Sequence, residues 1–103
     1  MADRARVITV CGSMKFKEEF FKAEKELTLE GKVVLLPVMN DIISGSGESE
    51  SIKQMLGEIH KRKIDLADEI FVINKNGYIG SSTKAEIQYA EAHGKKVRFF
   101  QEG

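Results

Sequence analysis

Apolar and polar residues alternate along the chain in blocks that predict four strands separated by three helices. The strand segments are rich in β-branched or continuously apolar residues and cover residues 6–11, 32–38, 69–74 and 97–100. Apolar residues at intervals of three and four predict helices over residues 14–30, 51–66 and 83–93. Strands and helices that alternate in the order βαβαβαβ predict a doubly wound α/β sheet, with parallel strands and helices on both faces.

The same pattern predicts which side chains face the core. The apolar run of residues 32–38 is nearly continuous, as in strands covered on both faces, and Pro37 closes it. On the helices the residues expected to point inward are Phe16, Phe20, Ala23 and Leu27 in the first, Ile52, Leu56, Ile59 and Leu66 with Met55 beside them in the second, and Ile87 and Ala90 in the third.

Residues 39–50 form the longest predicted connection. They contain Ser44-Gly45-Ser46-Gly47 and show no regular period. Loops of about twelve residues without structure of their own tend to be functional or disordered. Two interpretations therefore stay open, a lid over a substrate and a passive linker.

Composition narrows the class of protein. The 103 residues are 42% hydrophobic and 31% charged, which predicts a single domain over residues 1–103. Sixteen basic and sixteen acidic residues cancel, so we expect neither a nucleic-acid polymer nor a membrane surface as partner. The N-terminus lacks the apolar run of a signal peptide, and no apolar stretch approaches the ~20 residues of a membrane-spanning helix. These features predict a cytoplasmic protein.

In doubly wound sheets ligands bind beyond the carboxyl ends of the strands, where the strand order reverses. The first strand ends at Gly12-Ser13, where small residues let an anion approach the free N–H groups of the next helix. This turn suits a phosphate or a sugar hydroxyl, and Lys15 would add positive charge. Alternatively, Ser13 is simply the N-cap of its helix.

A second candidate site lies at the start of the third helix, after the third strand. Ser81, Ser82 and Thr83 supply hydroxyl groups, and Glu86 supplies a carboxylate that the helix N-terminus would keep ionised. An ionised carboxylate can attack an electrophilic sugar carbon, so Glu86 is a candidate nucleophile. Alternatively, Thr83 to Glu86 is a capping box, in which Glu86 only returns to the Thr83 N–H.

The spacing of the two histidines and the cysteine does not by itself indicate a functional site. His60 lies in a run of basic residues that is either a solvated helix face or one wall of an anion pocket. His93, in the last turn of the third helix, is expected to be structural. Two distant histidines and one cysteine do not form a zinc-binding pattern, so no metal is predicted. Cys11 is interpreted as a small buried residue, because a redox role lacks a resolving cysteine.

With these residues placed, the chain resembles the nucleoside 2-deoxyribosyltransferase superfamily, which includes the 2′-deoxynucleoside 5′-phosphate N-hydrolases. The resemblance covers nearly the whole chain. The matching segments are Cys11-Gly12-Ser13, Ile59-His60-Lys61-Arg62, Ala67-Asp68-Glu69-Ile70-Phe71-Val72, Gly80-Ser81-Ser82 and Glu86-Ile87-Gln88-Tyr89-Ala90.

The resemblance implies a small flavodoxin-like sheet of four to five strands in three α/β/α layers. It also implies cleavage of the bond between a (deoxy)ribose and its base by a glutamate nucleophile, which Glu86 matches. No cofactor is needed, the partner is a small nucleoside or nucleotide, and a homodimer or larger assembly is expected. Substrate-binding positions matched by the family pattern, with Lys15 in place of an arginine, are Gly12, Ser13, Lys15, Ser81 and Ser82.

Two departures from the family pattern stand out. The catalytic aspartate that assists at the leaving base falls on His60, and Gly80 lies six residues before Glu86 rather than closer. Two functions are therefore carried forward. In the first, Glu86 attacks C1′ and His60 protonates the leaving base. In the second, the domain binds a nucleotide without catalysis, and Glu86 only caps its helix.

Overall fold

Four parallel strands form the centre of the fold in the computed structural model, which describes residues 5–38 and 50–101. The strands are β1 (Val7–Gly12), β2 (Val33–Leu35), β3 (Glu69–Ile73) and β4 (Lys96–Phe99). The helices are α1 (Lys17–Leu29), α2 (Glu50–Leu66) and α3 (Ser81–Ala92). Short 3-10 turns at Met14–Phe16 and Lys75–Gly77 precede α1 and follow β3.

The strand order is β2-β1-β3-β4, and every pair is parallel. The chain therefore moves outward from β1 to β2 and then crosses back to β3 on the other side of β1. In the flavodoxin-like arrangement the ligand crevice lies between β1 and β3, at their carboxyl ends. The predicted α/β doubly wound class is confirmed, with four strands.

Alternate residues of the two central strands face opposite helical layers, as the period of two requires. Ile8, Val10, Phe71 and Ile73 pack against Phe16 of the first 3-10 turn and against the α1 side chains Phe20, Ala23 and Leu27. On the other face, a second cluster joins the sheet to α2 and α3; it consists of Cys11, Ile64, Ile70, Val72 and Ala90. The sheet is thus covered on both faces, which gives the expected three layers.

The second helix presents a different face to the core than its apolar pattern predicts. Ile59 and Leu66 are 40% and 71% exposed, and Met55 is also exposed. The buried residues are instead His60 and Ile64, one turn apart. Apolar residues occupy two faces of α2, and only packing against β1 and β3 selects one of them.

The element boundaries also differ from the sequence prediction. β2 is limited to three residues, lies at the edge of the sheet and leaves Val33 47% exposed, so it is not covered on both faces. The predicted start of the first helix is the short 3-10 turn, and α3 begins at Ser81 rather than Thr83. The connection predicted as a lid or linker lies, except for residue 50, outside the described residues.

None of the helices in the described ranges is both long enough and apolar enough to cross a membrane.

Candidate active site

The carboxyl ends of β1 and β3 open into a cleft that α2 and α3 border. Its volume is about 220 Å³, and its lining residues are Gly12, Met14, Pro37, Val38, Leu56, Gly57, Ile59, His60, Lys63 and Glu86. Gly12 ends β1 with φ +155°, and a Cβ there would lie 2.9 Å from the Cβ of Ile73 on β3. Only glycine fits this close approach of two strands, so it fixes the floor of the cleft.

Three side chains from three elements meet beside this cleft. Cys11 comes from β1, His60 from α2 and Glu86 from α3. The Cys11 Sγ atom lies 3.4 Å from His60 Nε2, and His60 Nε2 lies 3.7 Å from Glu86 Oε1. Cys11 is fully buried and His60 is 8% exposed, whereas the Glu86 side chain is 23% exposed. We refer to these three residues as the cleft triad.

Glu86 does not cap its helix. Gly80 is the N-cap of α3, and no side chain caps it within the described residues. Glu86 therefore lies in the second turn, beyond the position from which a capping box returns to the N-cap N–H. The capping-box interpretation of Thr83 to Glu86 is wrong, and the carboxylate faces the cleft, which it helps to line.

The protonation state of Glu86 is determined mainly by burial rather than by the helix N-terminus. Loss of hydration raises its pKa to about 7, and only a hydrogen bond from Cys11 opposes this shift. The expectation that the helix N-terminus keeps the carboxylate ionised therefore holds only in part near pH 7. Near neutral pH the site holds a mixture of carboxylate and carboxylic acid.

His60 belongs to the interior, so its interpretation as part of a solvated helix face is wrong. Burial, with a smaller effect of the Lys63 charge, lowers the pKa of His60 to about 4. The imidazole is therefore neutral at pH 7 and poorly suited to protonate a leaving base. The 3.7 Å from His60 Nε2 to Glu86 Oε1 is too long for a hydrogen bond, and because the imidazole is neutral it forms no ion pair with Glu86.

Lys63 also lines the cleft, and the sequence prediction gave it no role of its own. Lys63 lies one turn after His60; its ammonium group donates a 2.6 Å hydrogen bond to the Leu36 carbonyl, and its own carbonyl accepts one from Thr9. It thereby ties α2 to the middle of β1 and to the residue that follows β2. The spacing of three residues from His60 was the available signal, because residues i and i+3 share a helix face.

The predicted hydroxyl sites do come together, in a second cavity of about 360 Å³ next to the cleft. Its lining residues are Gly12, Ser13, Met14, Tyr78, Gly80, Ser81, Ser82 and Thr83. The cavity thus joins the turn after β1 to the N-terminus of α3, and the first N–H groups of a helix are suited to bind an anion. Both patterns found in the sequence border this one cavity.

Ser13 and Lys15 have additional structural contacts at the entrance to this cavity. Ser13 is the N-cap of the 3-10 turn, and its hydroxyl accepts a 3.3 Å hydrogen bond from the Lys15 N–H. The Lys15 ammonium lies 3.6 Å from the centre of the Tyr78 ring, a cation–π contact. Tyr78 was not singled out in the sequence; it lines the cavity, and its ring contacts the Lys15 ammonium group.

Comparison with protein families bears on this site. The family model described as "Domain of unknown function (DUF4406)" matches residues 8–99. The chain belongs to the DUF4406 family. The matched region contains the three helices and, apart from Val7, the four strands of the described residues, together with the cleft triad. No curated protein matches this DUF4406 chain.

Among solved structures, the chain is similar to a 2-deoxyribosyltransferase from the psychrotolerant bacterium Bacillus psychrosaccharolyticus. The TM-score is 0.72 at 21% sequence identity, and the match covers 90% of this chain and 70% of that protein. That protein is described as a biocatalyst for the synthesis of antiviral and antitumoral nucleosides. At this identity the similarity shows that the DUF4406 chain shares the deoxyribosyltransferase fold.

Proposed function

We propose that residues 1–103 form a single nucleoside 2-deoxyribosyltransferase-like domain that cleaves or transfers the N-glycosidic bond of a (deoxy)nucleoside or nucleoside 5′-monophosphate. One observation carries the proposal. The Glu86 carboxyl group is uncapped and partly exposed in a cleft at the β1–β3 switch point, next to a cavity lined by hydroxyl groups. This arrangement suits attack on a sugar that is anchored at its other end.

In the first step, an ionised Glu86 oxygen attacks C1′. The new bond from this oxygen to C1′ forms as the bond from C1′ to the base breaks, and the base takes the electron pair. Water or a second base then attacks C1′ and releases the carboxylate, so two inversions give net retention. With a pKa of about 7, Glu86 supplies a useful ionised fraction at neutral pH.

His60 has a supporting role in this mechanism. A neutral imidazole can hydrogen-bond the departing base but is a poor proton donor, so the base receives its proton from water in the open cleft. This assigns His60 a weaker task than that of the family aspartate whose position it takes. The reaction needs no redox chemistry and no organic cofactor.

The neighbouring cavity is proposed to hold the 5′ end of the substrate. Gly12 and Ser13 on one side and Ser81 and Ser82 on the other present N–H and hydroxyl groups to a phosphate or a sugar hydroxyl. Lys15 is placed over the Tyr78 ring, where it adds positive charge for an anionic substrate.

A second candidate, a nucleotide-binding module without catalysis, is favoured by two observations. The position of the family aspartate holds a neutral histidine, and Glu86 is only partly ionised near pH 7. In this function the cavity at α3 still binds a phosphate, and the cleft only accommodates the rest of the nucleotide.

Release of free base distinguishes the two functions. The experiment incubates three proteins with nucleosides and their 5′-monophosphates: wild type, Glu86→Gln and Glu91→Gln. Glu91→Gln is the control, because it alters an exposed glutamate on the same helix. We expect wild type and the control to release base, and Glu86→Gln to be slower by about a hundredfold or more.

Two results would contradict the proposal. Equal release by wild type and Glu86→Gln excludes Glu86 as the nucleophile. Absence of release by wild type, combined with a rise in its melting temperature on addition of the same ligands, selects the binding module.

A further inference from the structure

The cleft triad unites three different kinds of metal ligand in one place. Cys11 offers a sulfur atom, His60 a ring nitrogen and Glu86 a carboxylate oxygen, and these atoms all lie within 4.8 Å of one another. Each of the three residues lies on a different element, so no spacing pattern in the sequence predicts that they form a cluster. The interior position of Cys11 and His60 makes the arrangement unlike a chance cluster of surface acids.

The distances are close to those of a zinc site. With Zn–S near 2.3 Å and Zn–N or Zn–O near 2.0–2.1 Å, two ligands of a tetrahedral ion are about 3.3–3.6 Å apart. The measured separations are 3.4 Å from Cys11 Sγ to His60 Nε2 and 3.7 Å from His60 Nε2 to Glu86 Oε1. These two separations fit a zinc site, and the third, between Cys11 Sγ and a Glu86 carboxylate oxygen, is within 4.8 Å, so side-chain rotations would have to complete the geometry.

We propose that Cys11, His60 and Glu86 bind one Zn²⁺ ion, with its fourth position open to the cleft, and that the bound ion blocks Glu86. A mixed sulfur, nitrogen and oxygen donor set favours Zn²⁺ and disfavours Mg²⁺ and Ca²⁺, which prefer oxygen alone. Three protein ligands with one open position are typical of accessible zinc sites. The blocking effect rests on the proposed function, whereas the binding does not.

Binding requires proton release but no electron transfer. The Cys11 S–H bond breaks as the Zn–S bond forms, and the thiol proton passes to water, as does any proton on the Glu86 carboxyl. A buried thiolate is unfavourable by itself, and the divalent ion supplies the charge that compensates it. Entry is from the cleft, which His60 and Glu86 both line.

The consequence for catalysis follows from the ligand set. A carboxylate oxygen that coordinates Zn²⁺ has its lone pair engaged and cannot attack C1′. The ion and the glycosyl intermediate therefore compete for the same side chain. Zinc would act as a reversible inhibitor of base release rather than as a cofactor.

The direct test titrates the metal-free protein with Co²⁺, which reports thiolate coordination by a near-ultraviolet charge-transfer absorption, and measures bound Zn²⁺ by equilibrium dialysis. The variants are Cys11→Ser and His60→Asn, with folding checked by circular dichroism. The control is His93→Asn, which removes an exposed histidine outside the triad. We expect one Zn²⁺ per wild-type chain, the thiolate absorption, and affinity lost by at least about tenfold in both triad variants.

Several results would overturn the inference. The inference is overturned if the Co²⁺ spectrum of wild type shows no thiolate absorption. This result needs no variant, so the inference can still be tested if Cys11→Ser fails to fold. Unchanged zinc affinity in Cys11→Ser, or equal loss in His93→Asn, would place the ion elsewhere.

Activity separates this inference from the proposed function. We expect Zn²⁺ to stop base release by wild type and a chelator to restore it. Base release without zinc binding overturns the inference alone. If the chain binds zinc but never releases base, the zinc site is supported and the proposed glycosidase function is contradicted. Zinc binding that leaves base release unchanged overturns the blocking effect.

Discussion

Glu86 and His60 are neighbours whose pKa values are shifted in opposite directions by the same cause. Burial disfavours charge on both, which raises the pKa of Glu86 to about 7 and lowers the pKa of His60 to about 4. The folded state therefore binds more protons than the unfolded chain at Glu86 between about pH 4.5 and 7, so this group lowers stability as pH rises. His60 does the reverse between about pH 4 and 6.5, so the two contributions largely cancel in wild type.

Removing one partner should expose the contribution of the other. In Glu86→Gln only the His60 effect remains, and we expect the free energy of unfolding to rise by on the order of 2 kcal/mol between pH 4 and 6.5. His60→Gln should show the opposite slope between pH 4.5 and 7. Urea denaturation with a chelator present measures both, and identical pH dependence in wild type and both variants would contradict the shifts.

The second helix shows how an element can be predicted correctly while its packing is not. The helix itself was predictable from its period, but its apolar residues form more than one stripe. Ile64 is fully buried on the sheet, whereas Leu66, assigned to the core from the sequence, is 71% exposed. The choice of face depends on where β1 and β3 lie, and this information is not local to the helix.

A pair of truncations tests this packing. Ile64→Ala removes buried methyl groups between the sheet and α2, and we expect it to cost about 2–4 kcal/mol of unfolding free energy. Leu66→Ala removes an exposed side chain on the same helix and should change stability by less than about 0.5 kcal/mol. The measurement compares the denaturant midpoints of the two variants with that of wild type, at an unchanged dependence of the unfolding free energy on denaturant. Similar losses of stability in both variants would show that α2 packs differently.

At the scale of the whole molecule, the part of the chain that the structure describes leaves apolar side chains of the cleft exposed. Met14, Val38 and Ile59 line it and are 46%, 38% and 40% exposed. The resemblance predicts a homodimer or larger assembly, and a second copy would cover these side chains. A domain of this size also has a modest core of its own, so association would add stability.

Sedimentation velocity tests the assembly. We expect wild type to form at least a dimer at micromolar concentration, and Ile59→Lys to shift it toward monomer by placing a charge in the apolar contact. The matched control is Leu29→Lys, because Leu29 is 78% exposed at the end of α1 in the opposite layer. A monomeric wild type would make the prediction wrong, and equal dissociation of both variants would place the contact elsewhere.

The sequence by itself determined the order of elements, the α/β class and the two segments that border the phosphate-sized cavity. These features depend on local periodicity and on the rule that parallel strands carry their ligands at one end. Glu86 was found in the same way, because it follows β3. Only the tertiary structure decided that Cys11, His60 and Glu86 meet, since they lie far apart in the chain and on three elements. It also decided their protonation, because a pKa depends on burial, and burial is a property of the packed molecule.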